Sequence, residues 1–310
     1  MEAELNPLQE RILADIRLPD DWQPLPEDLV PALESELAEA LSPLEGWFTA
    51  DAQLRVTKHM LATVHGCEAH FLAQHAEPFS WNINTVRGTI AHKGIEILLN
   101  MPSPPSPGEL ADAAIQSVAE NPRESAADFI NGLSPADRAE LRSAVVVYLT
   151  TYTECFPPLK QAWRPVVEYP VTYSLFANSV VLSARMDLVI GQLGRKVILD
   201  VKTGRTLSIH REDLRFYALV EALRSRRPPR LTGTYSLESA RLESEPVSEG
   251  MLRAAVRRTA HGAIAVAELL KKKRAPEVRA GAQCRWCPLA AECATGTEYL
   301  RRLADPDDDA

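Results

Sequence analysis

Residues 180–204 read VVLSARMDLVIGQLGRKVILDVKTG, two runs of aliphatic and β-branched residues separated by the turn-forming segment GQLGR. Such runs on either side of a short glycine-containing turn predict a β-hairpin. Pairing across this turn places residue i near residue 386 − i, so we expect Asp187 opposite residue 199 and close to Asp200. Side chains alternate along a strand, so Asp200 and Lys202 would share one face.

The two aspartates of this hairpin point to a metal ion. Neighbouring carboxylates repel each other unless a cation or a proton separates them. Mg²⁺ prefers carboxylate and carbonyl oxygens and keeps some of its waters. Lys202 could then position a water or stabilise charge that develops on a phosphate. The alternative is a simple ion pair between Asp200 and Lys202 near the end of a strand.

Asp187, followed thirteen residues later by Asp200-Val201-Lys202-Thr203-Gly204, resembles the core of the PD-(D/E)XK nucleases. The resemblance is closest to the RecB-like branch, which includes AddB and the CRISPR-associated RecB-like nucleases. That branch carries a G-x-x-x-H-x-x-x-E pattern on an upstream helix, and residues 88–96 here read GTIAHKGIE. The resemblance implies that Mg²⁺ or Mn²⁺ is held by His92, Asp187, Asp200 and the carbonyl of Val201. It also implies that Lys202 assists the attacking water.

Three further residues lie at positions where the RecB-like branch has motif residues. Glu168, in PVVEYPV, matches an acidic residue on the first core strand, although it could also be an exposed residue of an edge strand. Tyr217 matches the end of a Q-x-x-x-Y pattern on the helix after the hairpin, but Asp213 stands where glutamine is expected. Without the family, a single histidine on a helix such as His92 is more often an ordinary core or surface residue. With the hairpin present, we expect it to be a ligand.

Four of the five cysteines form a candidate metal-binding set. Cys284, Cys287 and Cys293 have the spacing C-x₂-C-x₅-C, and three closely spaced thiolates need a fourth ligand to complete a zinc site or a cubane cluster. Cys67 is the candidate, because the RecB-like members with an iron–sulfur cluster place one cysteine before the histidine motif and three after the core. The resemblance implies a [4Fe–4S] cluster, with Zn²⁺ as the alternative. Cys155 is expected to be a buried thiol.

Charge is divided unevenly along the chain. The formal net charge is −8, but residues 1–159 carry 9 Lys and Arg against 24 Asp and Glu, whereas residues 160–299 carry 23 against 14. A basic region suits a polyanionic partner, although it can equally be a solvated surface. The arginines that we expect to hold DNA phosphates are Arg224, Arg226, Arg227, Arg253 and Arg257.

The order of the predicted elements indicates an α/β protein. Helical spacing predicts helices in 29–41, 55–74, 87–100, 109–156, 210–225 and 248–273, and β-branched runs predict strands in 165–175, 178–191, 195–204 and 231–239. We expect a restriction-endonuclease-like core, a mixed central sheet flanked by helices. Residues 1–50 would be an acidic, loosely packed arm and a helix. Residues 51–299 would form the nuclease domain, with a helical insertion at 109–156 and the cysteine set at 284–293. Residues 300–310 would be a disordered acidic tail.

These observations predict a metal-dependent DNA nuclease, with an exonuclease acting on single-stranded DNA or on DNA with free ends as the expected form. The alternative is a catalytically silent DNA-binding or scaffold subunit of a helicase–nuclease or defence complex. DNA repair or recombination, CRISPR adaptation and phage defence are all compatible pathways, and a separate helicase or defence subunit is a possible partner. The acidic start and the absence of a long apolar run predict a cytoplasmic protein that does not use a membrane.

Overall fold

The computed structural model describes residues 4–77, 79–101, 105–121 and 125–304. Its α-helices are α1 (Pro7–Ile16), α2 (Leu29–Leu41), α3 (Lys58–Gly66), α4 (Glu68–Ala76), α5 (Ile83–Asn100), α6 (Pro107–Ala119), α7 (Ala127–Asn131), α8 (Pro135–Cys155), α9 (Ser208–Ser225), α10 (Glu249–Leu270) and α11 (Ala294–Ala304). Its strands are β1 (Leu54–Val56), β2 (Val166–Leu175), β3 (Val180–Ile190), β4 (Val197–Lys202), β5 (Leu231–Ser236) and β6 (Arg241–Pro246).

The six strands form one mixed sheet around β3. Strand β2 pairs antiparallel with β3 along most of its length. The opposite edge of β3 is shared by two strands: β1 pairs parallel with residues 180–182, and β4 pairs antiparallel with residues 188–190. Strand β5 runs parallel to β4, and β6 runs antiparallel to β5. On this edge, β3 therefore pairs with β1 before residue 187 and with β4 after it.

Two hydrophobic cores lie on opposite faces of the sheet. The first core joins α2, α3, α4, α9 and α10 to side chains such as Leu182, Met186 and Ile198. The second core joins α1 and α5–α8 to side chains such as Leu188, Leu199 and Tyr235. The segment 109–156 contributes α6, α7 and α8 to this second layer. The predicted α/β class, a mixed central sheet flanked by helices, is confirmed.

The register of the hairpin differs from the prediction by one residue. Leu188 pairs with Leu199 and Ile190 pairs with Val197, so paired positions sum to 387 rather than 386. The reason is that Lys196 belongs to the connection, which therefore has six residues instead of the five of GQLGR. The predicted alternation on β4 is confirmed, because Ile198 packs in the first core whereas Leu199 and Val201 pack in the second.

Other differences lie in short or polar elements. The expected loose arm contains α1, whose Ile12 and Ile16 are buried in the second core. The expected helix 55–74 is divided into β1, α3 and α4, because Thr57 and Cys67 are both extended. Strand β6 (RLESEP) was not predicted, because its charged residues are those of an exposed edge strand. Residues 300–304 continue α11, and the rest of the expected tail, 305–310, lies outside the described residues.

Candidate metal centre and active site

Three side chains from different elements meet beside β3. His92 of α5, Glu168 of β2 and Asp187 of β3 each offer one ligand atom, and these atoms lie within 4.8 Å of one another. The Nδ1 atom of His92 is 3.7 Å from Oε1 of Glu168 and 3.6 Å from Oδ1 of Asp187. The three side chains are 14–27% exposed, so an ion could reach them from solvent.

The two strands change face where they carry these carboxylates. Met186 packs in the first core and Leu188 in the second, although regular alternation would place both on one face. The same reversal occurs on β2 between Tyr169 and Val167. The backbone φ of Glu168 is +49°, a left-handed conformation that costs energy for a residue with a side chain. This reversal turns both carboxylates toward His92.

The imidazole of His92 is held by a buried helix and surrounded by acid. Ile90, Ala91 and Ile95 of α5 are buried in the second core, which fixes the helix against the sheet. Burial by itself lowers the pKa of His92, but the carboxylates of Asp187 and Glu168 outweigh it and raise the pKa to about 9. The single positive charge of an imidazolium thus offsets part of the negative charge of the two carboxylates when no other cation is present.

Asp187 is fixed by the neighbouring strand. Its Oδ2 accepts a hydrogen bond of 2.7 Å from the backbone N–H of Val201 on β4. Burial raises the pKa of Asp187, and the charge of His92 opposes that rise. The amide of Val201 therefore holds one oxygen of Asp187 and leaves the other directed at His92. The sequence expectation for Val201 concerned its carbonyl, and that expectation stays a prediction.

Asp200 lies next to this group but is paired with lysines. Its side chain is fully buried, with Oδ1 3.0 Å from Nζ of Lys58 and Oδ2 2.6 Å from Nζ of Lys202. Burial raises the pKa of Asp200, but the two ammonium groups outweigh it and lower the pKa to about 2. Asp200 is thus ionised at neutral pH, and a metal ion would have to compete with both lysines for it.

Lys58 is the site residue that the sequence did not indicate. It is the first residue of α3, and its Nζ lies 4.8 Å from the centre of the Tyr217 ring as well as beside Asp200. Burial lowers the pKa of Lys58, but Asp200 outweighs it and raises the pKa. No motif marks Lys58 in the sequence, because its position depends on β1 joining the edge of β3. Glu96, the last residue of the G-x-x-x-H-x-x-x-E pattern, pairs with Lys93 at 2.6 Å.

Asp213 faces the same lysine from α9. Burial raises the pKa of Asp213 to about 6, and the charge of Lys58 opposes that rise. Tyr217, one helical turn later, is 2% exposed. The sequence pair Asp213 and Tyr217 therefore lies around Lys58, on the side of Asp200.

Backbone amides point toward three of the four candidate sulfur ligands. The N–H groups of Arg279, Gly281 and Gly296 lie 3.4, 3.5 and 3.3 Å from the sulfurs of Cys67, Cys284 and Cys293, respectively. Burial raises the pKa of the Cys287 thiol, and the other three cysteines raise it further. Within the described residues, the four sulfurs do not form a group with the 4.8 Å spacing found at His92. Cys67 nevertheless contacts the segment that leads to the C-terminal triplet, because its sulfur accepts from the N–H of Arg279.

Three of the five arginines expected to hold DNA have acidic partners. Arg226 pairs with Glu34, Arg227 lies 3.0 Å from Glu27, and Arg253 pairs with Glu36 as well as with Glu249 at 2.9 Å. Arg224 and Arg257 are exposed. Contact with DNA at these five positions stays a prediction.

The donor set fits a divalent cation. One imidazole and two carboxylates, with the ionised Asp200 beside them, are ligands that Mg²⁺ and Mn²⁺ accept. Two lysines next to such a site provide positive charge where a phosphodiester would acquire negative charge. The arrangement can therefore support hydrolysis of a phosphate ester.

Comparison with known proteins gives a family match over most of the chain. The sequence model of the PD-(D/E)XK nuclease superfamily matches residues 55–294. No curated protein matches the sequence significantly. Among solved structures, a candidate exonuclease from Eubacterium rectale is 9% identical, with a TM-score of 0.47 over 87% of this chain and 93% of that chain. The protein SSO0001 is 14% identical, with a TM-score of 0.32 over 70% of this chain and 99% of that chain.

Proposed function

This chain belongs to the PD-(D/E)XK nuclease superfamily, and on that premise we propose that it is a Mg²⁺- or Mn²⁺-dependent deoxyribonuclease. The observation that carries the proposal is the convergence of His92, Glu168 and Asp187, whose ligand atoms lie within 4.8 Å of one another. Asp200 would join them as a ligand once the cation competes with its two lysines. Among the described residues, no helix is long and apolar enough to cross a bilayer.

The protein's own groups would divide the chemistry among them. A bound divalent cation lowers the pKa of a coordinated water and neutralises charge on the phosphate. The Val201 amide holds Asp187 in place, which fixes the geometry of the ligand set. Lys202 would orient the attacking water, and Lys58 would hold a phosphate oxygen. His92 must give up its proton to act as a ligand, so binding of the cation would release a proton at neutral pH.

Substitution of Lys202 tests the catalytic proposal. Cleavage of end-labelled single-stranded DNA with Mn²⁺ or Mg²⁺ should fall by on the order of 10²–10³-fold in Lys202→Ala, because the charge beside Asp200 that would orient the attacking water is lost. Lys93→Ala is the matched control, since Lys93 lies next to His92 in sequence but pairs with Glu96. Equal cleavage by wild type and Lys202→Ala would place the active site elsewhere. A wild type that binds DNA without cutting it would support the scaffold function.

The preference for single-stranded DNA or DNA ends is part of the same proposal. The likeness to RecB-like nucleases supports it, together with a role in DNA repair or recombination, CRISPR adaptation or phage defence beside a helicase or defence subunit. Circular and linear forms of one single-stranded DNA separate the two modes of cleavage. An exonuclease would degrade the linear form and leave the circle intact, whereas cutting of the circle would show an endonuclease.

We further propose that Cys67, Cys284, Cys287 and Cys293 bind a [4Fe–4S] cluster. Two observations support it. The sulfur of Cys67 accepts a hydrogen bond from Arg279, in the segment that leads to Cys284. Backbone N–H groups also point at the sulfurs of Cys284 and Cys293, and hydrogen bonds to sulfur are a common feature of cluster sites. Anaerobically purified protein should contain iron and acid-labile sulfide, and Cys67→Ala should remove both. Cys155→Ala is the control and should keep them. Stoichiometric zinc without sulfide would establish the alternative metal.

A further inference from the structure

One half of the sheet has an open face on the side of the second core. Apart from Val181, which is buried, the side chains of β2 and β3 that point away from the first core reach solvent near the start of β3. Helices α5–α8 cover only the other half of the sheet. We define the open face by the side chains that β1, β2 and β3 present there. They are Arg55 on β1, Pro170, Thr172 and Ser174 on β2, and Ser183 and Arg185 on β3.

The open face is polar and carries only positive charge. Arg185 is 71% exposed, and Arg55 is exposed and lies 3.2 Å from the hydroxyl of Ser183. Within the described part of the chain, Arg55 forms no ion pair. The acidic residues of β1–β3 are Glu168 and Asp187, and both belong to the metal-ligand group. A surface of hydroxyls and guanidinium groups suits phosphate oxygens.

The open face leads directly into the candidate metal centre. The Nη1 atom of Arg185 lies 3.6 Å from Oε2 of Glu168, whose other oxygen faces His92. A cation bound by Glu168 would compete with Arg185 for that carboxylate, so the guanidinium would be free to bind a phosphate. From residue 181, beside Arg55, to Arg185 the strand spans roughly 13 Å. That length accommodates several successive phosphates of a DNA strand.

We propose that the open face binds the phosphodiester backbone of one DNA strand and delivers it to His92, Glu168 and Asp187. The inference rests on the proposed nuclease function and names the path of its substrate. It differs from the basic cluster indicated by the sequence, where Arg226, Arg227 and Arg253 are engaged by glutamates. The guanidinium groups of Arg55 and Arg185 hold phosphates, so binding at this face is independent of base sequence.

Salt dependence of DNA binding tests this assignment. Affinity of a fluorescein-labelled oligothymidylate is measured with Mn²⁺ in a Lys202→Ala background, and again with wild-type protein in EDTA. Each phosphate contact contributes about 0.7 to the slope of log affinity against log salt for a single strand. Arg55→Ala and Arg185→Ala should each lower the slope by about 0.7. A fourfold increase in salt then weakens binding by each variant about threefold less than it weakens binding by the parent protein. Arg55→Lys should restore the slope, because it restores the charge.

Two controls separate this proposal from its alternatives. Arg138→Ala on the outer helix α8 removes the same charge away from the sheet and should leave the slope unchanged. Arg227→Ala tests whether the basic cluster indicated by the sequence also contributes to the salt slope of DNA binding. Unchanged slopes in both open-face variants, with normal cleavage by wild type, would overturn the path while leaving the nuclease function standing. No DNA binding and no cleavage by wild type would instead reject the proposed function. Tighter binding of oligouridylate than of oligothymidylate would overturn DNA as the occupant.

Discussion

Asp200 differs from the other carboxylates of the site because each of its two oxygens pairs with a lysine. Lys58 comes from α3, and Lys202 comes from the same strand as Asp200. Two ammonium groups keep its carboxylate ionised inside the protein, where an unpaired charge would be costly. When a metal ion takes one oxygen, one lysine loses its partner. Asp213, on the other side of Lys58, is then a second carboxylate within reach of its charge.

The burial of Asp213 has a measurable consequence for stability. Its pKa is raised to about 6, so the folded state holds a proton that an unfolded chain releases near pH 4. This contribution is fully present below about pH 4 and is lost as pH rises through 6. Asp213→Asn removes the titration. We therefore expect the variant to gain on the order of 1–3 kcal/mol over wild type between pH 4 and pH 8, measured by urea unfolding in EDTA.

An exposed aspartate serves as the comparison. Asp21→Asn changes the same chemical group in a solvated position, and its stability relative to wild type should stay the same at both pH values. A constant difference between Asp213→Asn and wild type from pH 4 to pH 8 would mean that Asp213 titrates at its ordinary value.

Among the elements, α5, which carries His92, packs closely against α8 at Gly94. A Cβ added at Gly94 would come within 2.7 and 2.8 Å of the two methyl carbons of Leu149, which is fully buried. Gly88, on the same helix, would meet only the Thr203 hydroxyl at 3.8 Å. We expect Gly94→Ala to destabilise the protein by about 1–3 kcal/mol through overpacking. Gly88→Ala should be neutral or stabilise by up to about 1 kcal/mol, since alanine favours a helix.

Urea unfolding midpoints of the two alanine variants at constant m-value make this comparison directly. If both variants were equally stable, the space between α5 and α8 would be larger than the structure indicates. Loss of nuclease activity in Gly94→Ala with unchanged stability would instead point to a shift of His92.

Elements with strong local signals could be predicted from the sequence, whereas those set by distant contacts could not. Helix α2 matches its predicted bounds, because Leu33, Leu37 and Leu41 repeat at helical spacing along one buried face. Strand β1 has three residues, too few for a period, and it exists because β3 has a free edge to pair with. The hairpin indicated Asp187 and Asp200 as neighbours, but not the reversal of face that turns Asp187 and Glu168 toward His92. On β2 the reversal coincides with a left-handed Glu168, for which the sequence has no marker.

Across the whole molecule, the uneven charge of the sequence becomes a set of long-range ion pairs. Acidic side chains of the N-terminal region, on and just before α2, meet arginines that follow α9 or lie on α10. The pairs are Glu34 with Arg226, Glu27 with Arg227 and Glu36 with Arg253. The basic excess after residue 160 is therefore partly neutralised by the fold. Exposed pairs of this kind stabilise little, so their main effect is on where positive charge remains for DNA.

The pair of Arg274 and Glu68 differs from these exposed pairs because its carboxylate is buried. Both carboxylate oxygens of Glu68 on α4 accept from Arg274 at 2.5 and 2.6 Å, 206 residues away along the chain, and Glu68 is 5% exposed. The backbone N–H of Glu277 adds a third hydrogen bond of 2.8 Å to this carboxylate. The pair thus ties the segment after α10, which leads to Cys284, to the helix that follows Cys67.

Breaking this pair should cost more than breaking an exposed one of similar geometry. Arg274→Met leaves a buried carboxylate without its cation, so we expect a loss of about 3 kcal/mol in the free energy of unfolding. Arg142 forms two hydrogen bonds with Asp112 on the surface, where both side chains are about half exposed, so Arg142→Met should cost much less than Arg274→Met. Glu68→Gln combined with Arg274→Met should cost less than the sum of the single changes. Additive costs would show that Glu68 and Arg274 act independently, and that other contacts hold the C-terminal cysteines beside Cys67.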